Sequence, residues 1–136
     1  MQVCAYLNFA GNCEEAFKLY EKALGGKIVN MMTQADTPMK DKTPPESLGK
    51  IAHVRLQVGD GVLMGSDGPA QNFQPAQGFS VCIQADDVAE AERVFSALSE
   101  GGTIQMPLAE TFWALRFAMF VDRFGTPWMV NLEKKP

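Results

Sequence analysis

The sequence is poor in the residues from which covalent scaffolds and conventional metal centres are built. It has three cysteines, Cys4, Cys13 and Cys82, and a single histidine, His53. An odd cysteine count without a C-x-x-C pair argues against a disulfide framework or a structural zinc, and makes a reducing, cytoplasmic setting the default. One histidine excludes an imidazole-rich metal site within one chain. Excess positive charge is missing as well: Lys plus Arg number 12 against 16 Asp plus Glu, a net charge of -4. Proteins that neutralise a phosphate backbone are normally basic, so nucleic acid is not an expected partner. No apolar run approaches the ~20 residues of a membrane span. No basic segment precedes an apolar stretch at the start, so neither membrane association nor a secretory leader is expected. The G-x-G-x-x-G, P-loop and G-x-S-x-G signatures are all absent.

What remains is an ordinary globular composition. The 136 residues are 46% hydrophobic and 21% charged, which suits one compact domain with a sizeable core. Within it lies a repeat. Residues 9–20 (FAGNCEEAFKLY) align with 84–95 (QADDVAEAERVF), which sets Ala10 on Ala85, Asn12 on Asp87 and Glu15 on Glu90. Ala16 then meets Ala91, Lys18 meets Arg93, Leu19 meets Val94 and Tyr20 meets Phe95. One insertion later, Gly25-Gly26 fall on Gly101-Gly102 and Ile28 falls on Ile104. Each copy carries the signals of a helix. Asn12 and Asp87 are predicted N-caps, and Glu15 and Glu90 can close capping boxes. Ala16, Leu19, Tyr20 and Ala23 form one apolar stripe, and Val88, Ala91, Val94, Phe95 and Leu98 form the other. The glycine pairs stop both helices, because glycine accepts the left-handed conformation past a helix end.

Strands are predicted before the helices at 3–9 and 79–85, and after them at 27–33 and 103–107. Two hairpins follow. The first pairs 51–58 with 62–66 around Gly59-Asp60-Gly61; the second pairs 117–121 with 128–132 around residues 122–125. Each half therefore reads strand, helix, strand, strand, strand. Residues 36–49 are polar and proline-rich and read as a mobile loop. The expectation is one domain spanning 1–136, with module one at about 1–68, a linker at about 69–77 and module two at about 78–136.

A duplicated βαβββ module of this size resembles the vicinal oxygen chelate superfamily, the fold of glyoxalase I, extradiol dioxygenases and bleomycin resistance proteins. The wording is closest to its PhnB-like branch. The residues that carry the resemblance are Tyr6 to Cys13 (YLNFAGNC), His53 with Gly59 to Asp67 (GDGVLMGSD), Glu110 to Ala114 (ETFWA) and Asp122 to Met129 (DRFGTPWM). The resemblance implies an α+β fold in which two tandem βαβββ modules form a curved mixed sheet around a cup, with the helices outside. It also implies a homodimer. Metal-dependent members of the superfamily take four ligands from the first and fourth strand of each module. Matched strand by strand, these positions fall on Ala5, Met64, Ser80 and Met129. Tyr6, Ser66, Cys82, Asn131 and Glu133 lie a residue or two away. Two methionines and an alanine offer neither carboxylate nor imidazole. The expectation is thus no metal, no cofactor and a largely apolar cup. Relatives are sometimes labelled methyltransferases, but a chain this short without a Rossmann-type loop has no evident site for a methyl donor.

Several residues then become candidates. The alternation of 51–58 puts His53 on one face with Arg55 and Gln57. There it is a general base or hydrogen-bonding group of a pocket, or a strand histidine satisfied by a neighbour. Glu110, Phe112 and Trp113 precede the penultimate strand. Adjacent aromatics in a connection form a ligand-stacking rim, or else a core cap or a dimer contact. Arg55 and Arg116 can clamp an anion, though surface ion pairing is the commoner use. Asp67 and Asp122 read as turn residues, Trp128 as core, and Cys82 as a small buried hydrophobe. Met64, Met119 and Met129 suit an adaptable apolar pocket. The expected function is small-molecule binding, with His53, Met64, Glu110, Phe112 and Trp113 as ligand-binding residues; His53 and Glu110 are the catalytic candidates if there is chemistry. Two alternatives stand beside it. One is a metal-dependent lyase, isomerase or dioxygenase-type enzyme using His53, Glu110 and Glu133, or ligands from a second chain. The other is a protein-interaction module built on Phe112 and Trp113.

Overall fold

Period-two alternation and two amphipathic helices dictate the architecture. The computed structural model describes residues 1–135. The chain divides into two compact units, Met1–Gln74 and a second that begins at Pro75. The first contains β1 (Ala5–Phe9), α1 (Cys13–Leu24), β2 (Lys27–Thr33), β3 (Ile51–Val58) and β4 (Gly61–Asp67). The second contains β5 (Val81–Gln84), α2 (Val88–Ser99), β6 (Thr103–Ala109), β7 (Ala114–Val121) and β8 (Pro127–Glu133). Each unit forms a four-stranded sheet, in the orders β1-β4-β3-β2 and β5-β8-β7-β6. β1 runs parallel to β4 and β5 parallel to β8, while the other neighbours are antiparallel. The fold is α+β with the βαβββ pattern occurring twice. No helix among the described residues is long and apolar enough to cross a membrane.

In each unit the helix covers one sheet face. α1 buries Cys13, Ala16, Phe17, Tyr20 and Ala23, so Phe17 and Cys13 complete the stripe in place of half-buried Leu19. Phe17 meets Phe9 edge-on at 6.0 Å and Tyr20 at 5.5 Å. Burial of such a ring contributes about 1.5–3 kcal/mol. α2 buries Ala91, Val94 and Leu98, and Phe95 meets Phe120 of β7 at 5.5 Å.

One expected cap is not formed. The Asn12 side chain makes no capping hydrogen bond. Asp67, at the end of β4, takes over the job. Its Oδ1 accepts from the backbone N–H of Gly11 at 2.8 Å and of Cys13 at 3.0 Å, and its Oδ2 accepts from Ile51 N–H at 2.9 Å. A carboxylate with a full charge at a helix N-terminus outcompetes a local amide. Asp87 does cap α2, accepting from Glu90 N–H at 2.8 Å.

The glycine pairs serve two needs rather than one. Gly25 and Gly101 have φ of +67° and +78°, as a helix stop requires. Gly26 and Gly102 are small because the next strand passes close by. A Cβ on Gly26 would sit 2.5 Å from Gln57 O, and one on Gly102 would strike Val121 O. The polar segment after β2 is organised by three short 3-10 turns, at Gln34–Asp36, Lys40–Lys42 and Pro45–Ser47.

Candidate functional site

The faces that the helices leave open carry the candidate residues. In β3, Val54 and Leu56 are buried, which turns His53 and Arg55 to the other face. In β1, Leu7 and Phe9 are buried and Tyr6 is exposed. In β4, Gly65 lies against Phe17, where a Cβ would come within 2.6 Å of the ring. Met64 therefore projects away from α1. Sheet register sets Tyr6 beside Met64, Met64 beside Arg55, and His53 beside Met32. Across β4, Tyr6 Oη and His53 Nδ1 share a hydrogen bond at 3.3 Å. Their rings stack at 5.8 Å with an interplanar angle of 26°. Arg55 Nη1 donates to Met64 Sδ at 3.9 Å. A thioether is a weak acceptor, so this guanidinium keeps most of its hydrogen-bonding capacity for another group.

The second unit has a corresponding open face. Trp128, Val130 and Leu132 of β8 are buried, and the register sets Met129 between Cys82 and Met119, and Asn131 between Gln84 and Phe117. At one end of this face is a depression of about 420 Å³, lined by Ser80, Gln105, Met119, Val121, Pro127 and Met129 with the adjoining residues 76–79. At the other end, Trp113 meets Phe117 at 5.2 Å and Phe112 meets Trp113 at 4.8 Å, both edge-on. Thr111 fixes this turn: its Oγ1 accepts from the N–H groups of Trp113 and Ala114. Phe112 is 89% exposed and Trp113 43% exposed. Glu110 is held by Lys134 at 3.1 Å.

Among the expected site residues, His53 and Met64 thus share the open face of the first unit, while Glu110, Phe112 and Trp113 lie in the second. Sequence reasoning passed over Tyr6 as a partner of His53, and Phe117 as the third ring of the aromatic group. A signal was available for Tyr6, an aromatic in phase with polar Asn8 on β1; the phase of Phe117 in β7 is apolar throughout and gives none.

Three expectations are corrected. Met64 pairs with Tyr6 rather than with the level of Ala5, and Ser80 lies outside β5, so that Met129 pairs with Cys82. Cys82 is exposed, not buried, because Val81 and Ile83 take the inner phase of β5. Partial burial of its sulfur, then the charge of Glu133, pushes its thiol up, which disfavours the nucleophilic thiolate. Arg55 and Arg116 make no ion pair among the described residues, and Arg116 Nη1 instead donates to Leu115 O. Both Asp67 and Asp122 are structural, but only Asp122 serves its own turn; Asp67 holds the remote N–H groups of Gly11, Cys13 and Ile51 instead. Asp122 accepts from the N–H groups of Phe124 and Thr126 and from Nε1 of buried Trp128.

The corrected register also tests the superfamily's metal. Carried onto this pairing, the positions that the resemblance implies hold a phenol and a thioether, Tyr6 and Met64, in the first unit. In the second they hold a thiol and a thioether, Cys82 and Met129. These do not fit a cation that prefers carboxylate or imidazole. Among the described residues no three His, Cys, Asp or Glu side chains cluster as a metal site.

Comparison with known proteins places this geometry in a family. The family model described as 3-demethylubiquinone-9 3-methyltransferase matches residues 1–131. The chain belongs to that family. Protein YjdN of Escherichia coli strain K12, which is similar, is 31% identical over 143 residues, covering 99% of this chain and 97% of that one. The crystal structure of PA1353 from Pseudomonas aeruginosa is similar at 46% identity and a TM-score of 0.90, with 99% of each chain covered. The PhnB protein of Bacillus cereus shares the fold at 24% identity and a TM-score of 0.82, over 97% of this chain and 99% of that one. The fosfomycin resistance protein FosX of Listeria monocytogenes shares it at 12% identity and a TM-score of 0.66, covering 98% and 94%. The chain is PhnB-like, and its fold is that of the vicinal oxygen chelate superfamily.

Proposed function

We propose that this PhnB-like chain binds a small organic molecule on the helix-free faces of its sheets, without a resident divalent metal. The observation that carries the reading is the stacked, hydrogen-bonded Tyr6–His53 pair beside Arg55 and Met64. The two rings supply a flat surface, Met64 an adaptable apolar one, and Arg55 a guanidinium free to grip an anionic or acceptor group. Few polar groups set among apolar surface are the usual make-up of a ligand site. Methyl transfer, the activity in the family's description, would need a site for a methyl donor, and no glycine-rich nucleotide loop follows a described strand.

The molecule works in a reducing, cytoplasmic setting as a homodimer. Three unpaired thiols support the first point. Exposed Val29 and Met32 on edge strand β2, and Ile104 and Met106 on edge strand β6, support the second. Sequestration of a harmful compound is one role such a site serves. Phe112, with almost its whole ring in solvent, favours a second reading, an interface with another protein.

A thermal-shift series with benzoate, salicylate and 1-naphthoate tests the proposal. A ligand at 100 times its Kd stabilises the folded state by about 2.7 kcal/mol. At least one of the three should raise the melting temperature of the wild type by several degrees, and Tyr6→Leu or Arg55→Leu should abolish the shift. No shift with any of them, or shifts that survive both substitutions, would contradict the assignment. Loss of partner capture in Phe112→Ala with unchanged small-molecule binding would support the second reading.

A further inference from the structure

One buried polar atom is left over by the fold. Asn131 is 7% exposed, and its Nδ2 donates to Gln84 Oε1 at 3.0 Å. Gln84 Nε2 in turn donates to Cys82 Sγ at 3.8 Å. This chain of side chains engages both amide nitrogens, through one N–H each, and leaves Asn131 Oδ1 buried without a hydrogen-bond partner. A buried carbonyl oxygen has lost the hydrogen bonds it made in water, and native proteins seldom leave such a loss uncompensated.

The surroundings indicate what compensates it. Asn131 lies on the central strand β8, on the face that α2 leaves open. Its cross-strand neighbour on β7 is Phe117, and side chains so paired stand within ~5.5 Å of each other at Cβ. Trp113 packs on Phe117, and Phe112 on Trp113. An acceptor that lacks a donor thus borders a shelf of three aromatic rings, two of them reaching into solvent.

We propose that Asn131 Oδ1 is the acceptor of a subsite for planar aromatic molecules that carry an N–H or O–H group. The ring stacks on the Trp113–Phe117 shelf and its donor satisfies Oδ1. The proposal rests on the small-molecule reading above, to which it adds a ligand class and a second contact region. The oxygen is sealed from solvent in the free chain, so the ligand's donor reaches it only as neighbouring side chains move aside. The Trp113 backbone is held by Thr111, but its half-exposed side chain has solvent to swing into.

The probes are indole and 1-methylindole, which share shape and stacking surface and differ in the donor. Binding is measured by equilibrium dialysis to wild type, Asn131→Leu and Asn131→Asp. Wild type should bind indole about tenfold more tightly than 1-methylindole, the worth of one hydrogen bond to an otherwise unpaired group. Asn131→Leu should erase the preference. Asn131→Asp should keep it, because Gln84 can turn its amide and donate to the new carboxylate. Equal binding of both probes by the wild type would overturn the donor assignment while leaving small-molecule binding intact. Binding of neither would overturn the subsite, with the Tyr6 face still judged by its own ligand series. If the Asn131 variants fail to fold, Trp113→Ala decides: it should lose both probes, and undiminished binding would refute the shelf.

Discussion

Removal of the Asp122 carboxylate should be among the most damaging single changes in the second unit. Asp122 is 3% exposed. Its Oδ1 accepts from Phe124 N–H at 2.9 Å and Thr126 N–H at 3.0 Å, and its Oδ2 accepts from Trp128 Nε1 at 2.8 Å. Trp128 itself is 1% exposed. Asp122→Ala removes the acceptor that these three donors use, and the loss of a buried donor's acceptor costs about 1–3 kcal/mol. Phe124 lies in the half-buried turn, where water can replace its lost acceptor. Two donors then bear the full cost, and the expected loss is about 3–5 kcal/mol. Asp122→Asn is the informative companion. Its amide oxygen can still accept from Phe124 and Thr126, but its NH₂ faces the indole N–H of Trp128, donor against donor. One bond is lost instead of three, for about 2 kcal/mol. Urea unfolding followed by tryptophan fluorescence measures both, with Trp128 reporting directly. A cost under about 1 kcal/mol for Asp122→Ala, or an Asn variant as damaged as the Ala variant, would refute the hydrogen-bond reasoning.

Other consequences follow from the same geometry. Burial, and after it the charges of Asp67 and Glu14, pushes the Cys13 thiol from 9.0 up to about 12. A raised folded-state value means that this contribution to stability is complete below pH 9 and is lost as the pH climbs towards 12. The urea midpoint should therefore fall over that window more steeply in wild type than in Cys13→Ala. At pH 8, Ellman's reagent should leave Cys13 untouched until the chain unfolds, whereas exposed Cys82 reacts slowly in the native state. Gly26→Ala and Gly102→Ala should each cost about 1–3 kcal/mol by forcing strands apart. Gly25→Ala, with nothing within 4 Å of the new Cβ, should cost about 1–2 kcal/mol from its left-handed backbone alone; denaturant titration separates the three. Elemental analysis of untagged protein dialysed against Ni, Zn, Mn and Fe salts should find well under one metal per chain. Stoichiometric metal that His53→Ala removes would instead support the enzyme reading.

Much of the fold was legible because its signals are local. Alternation located β3 to the residue, and the glycine pairs marked where both helices end. What the sequence hid was non-local. The cap of α1 comes from Asp67, whose separation from Cys13 in the chain no capping pattern can span. Phe17 outranked Leu19 in the core because Gly65, far along the chain on β4, leaves room for its ring. That Met64 pairs with Tyr6 and not with Ala5 was hidden because a parallel β1–β4 pairing is not set by a turn, as a hairpin's is. Cys82 was misplaced for a related reason: a four-residue strand whose first three residues, Val81, Cys82 and Ile83, are all apolar offers too little alternation to fix its phase. Asn131 escaped notice because its character lies in a missing partner, which only the packed structure reveals.

The most direct test of small-molecule binding uses the methionines as reporters. Protein labelled with ¹³C at the methionine methyl groups is titrated with salicylate. The Met64 methyl, beside Tyr6 and Arg55, should shift in a saturable manner, and that of exposed Met39 should stay still. A Met64 signal that does not move, or movement confined to Met39, would contradict a binding site on the open face of the first sheet.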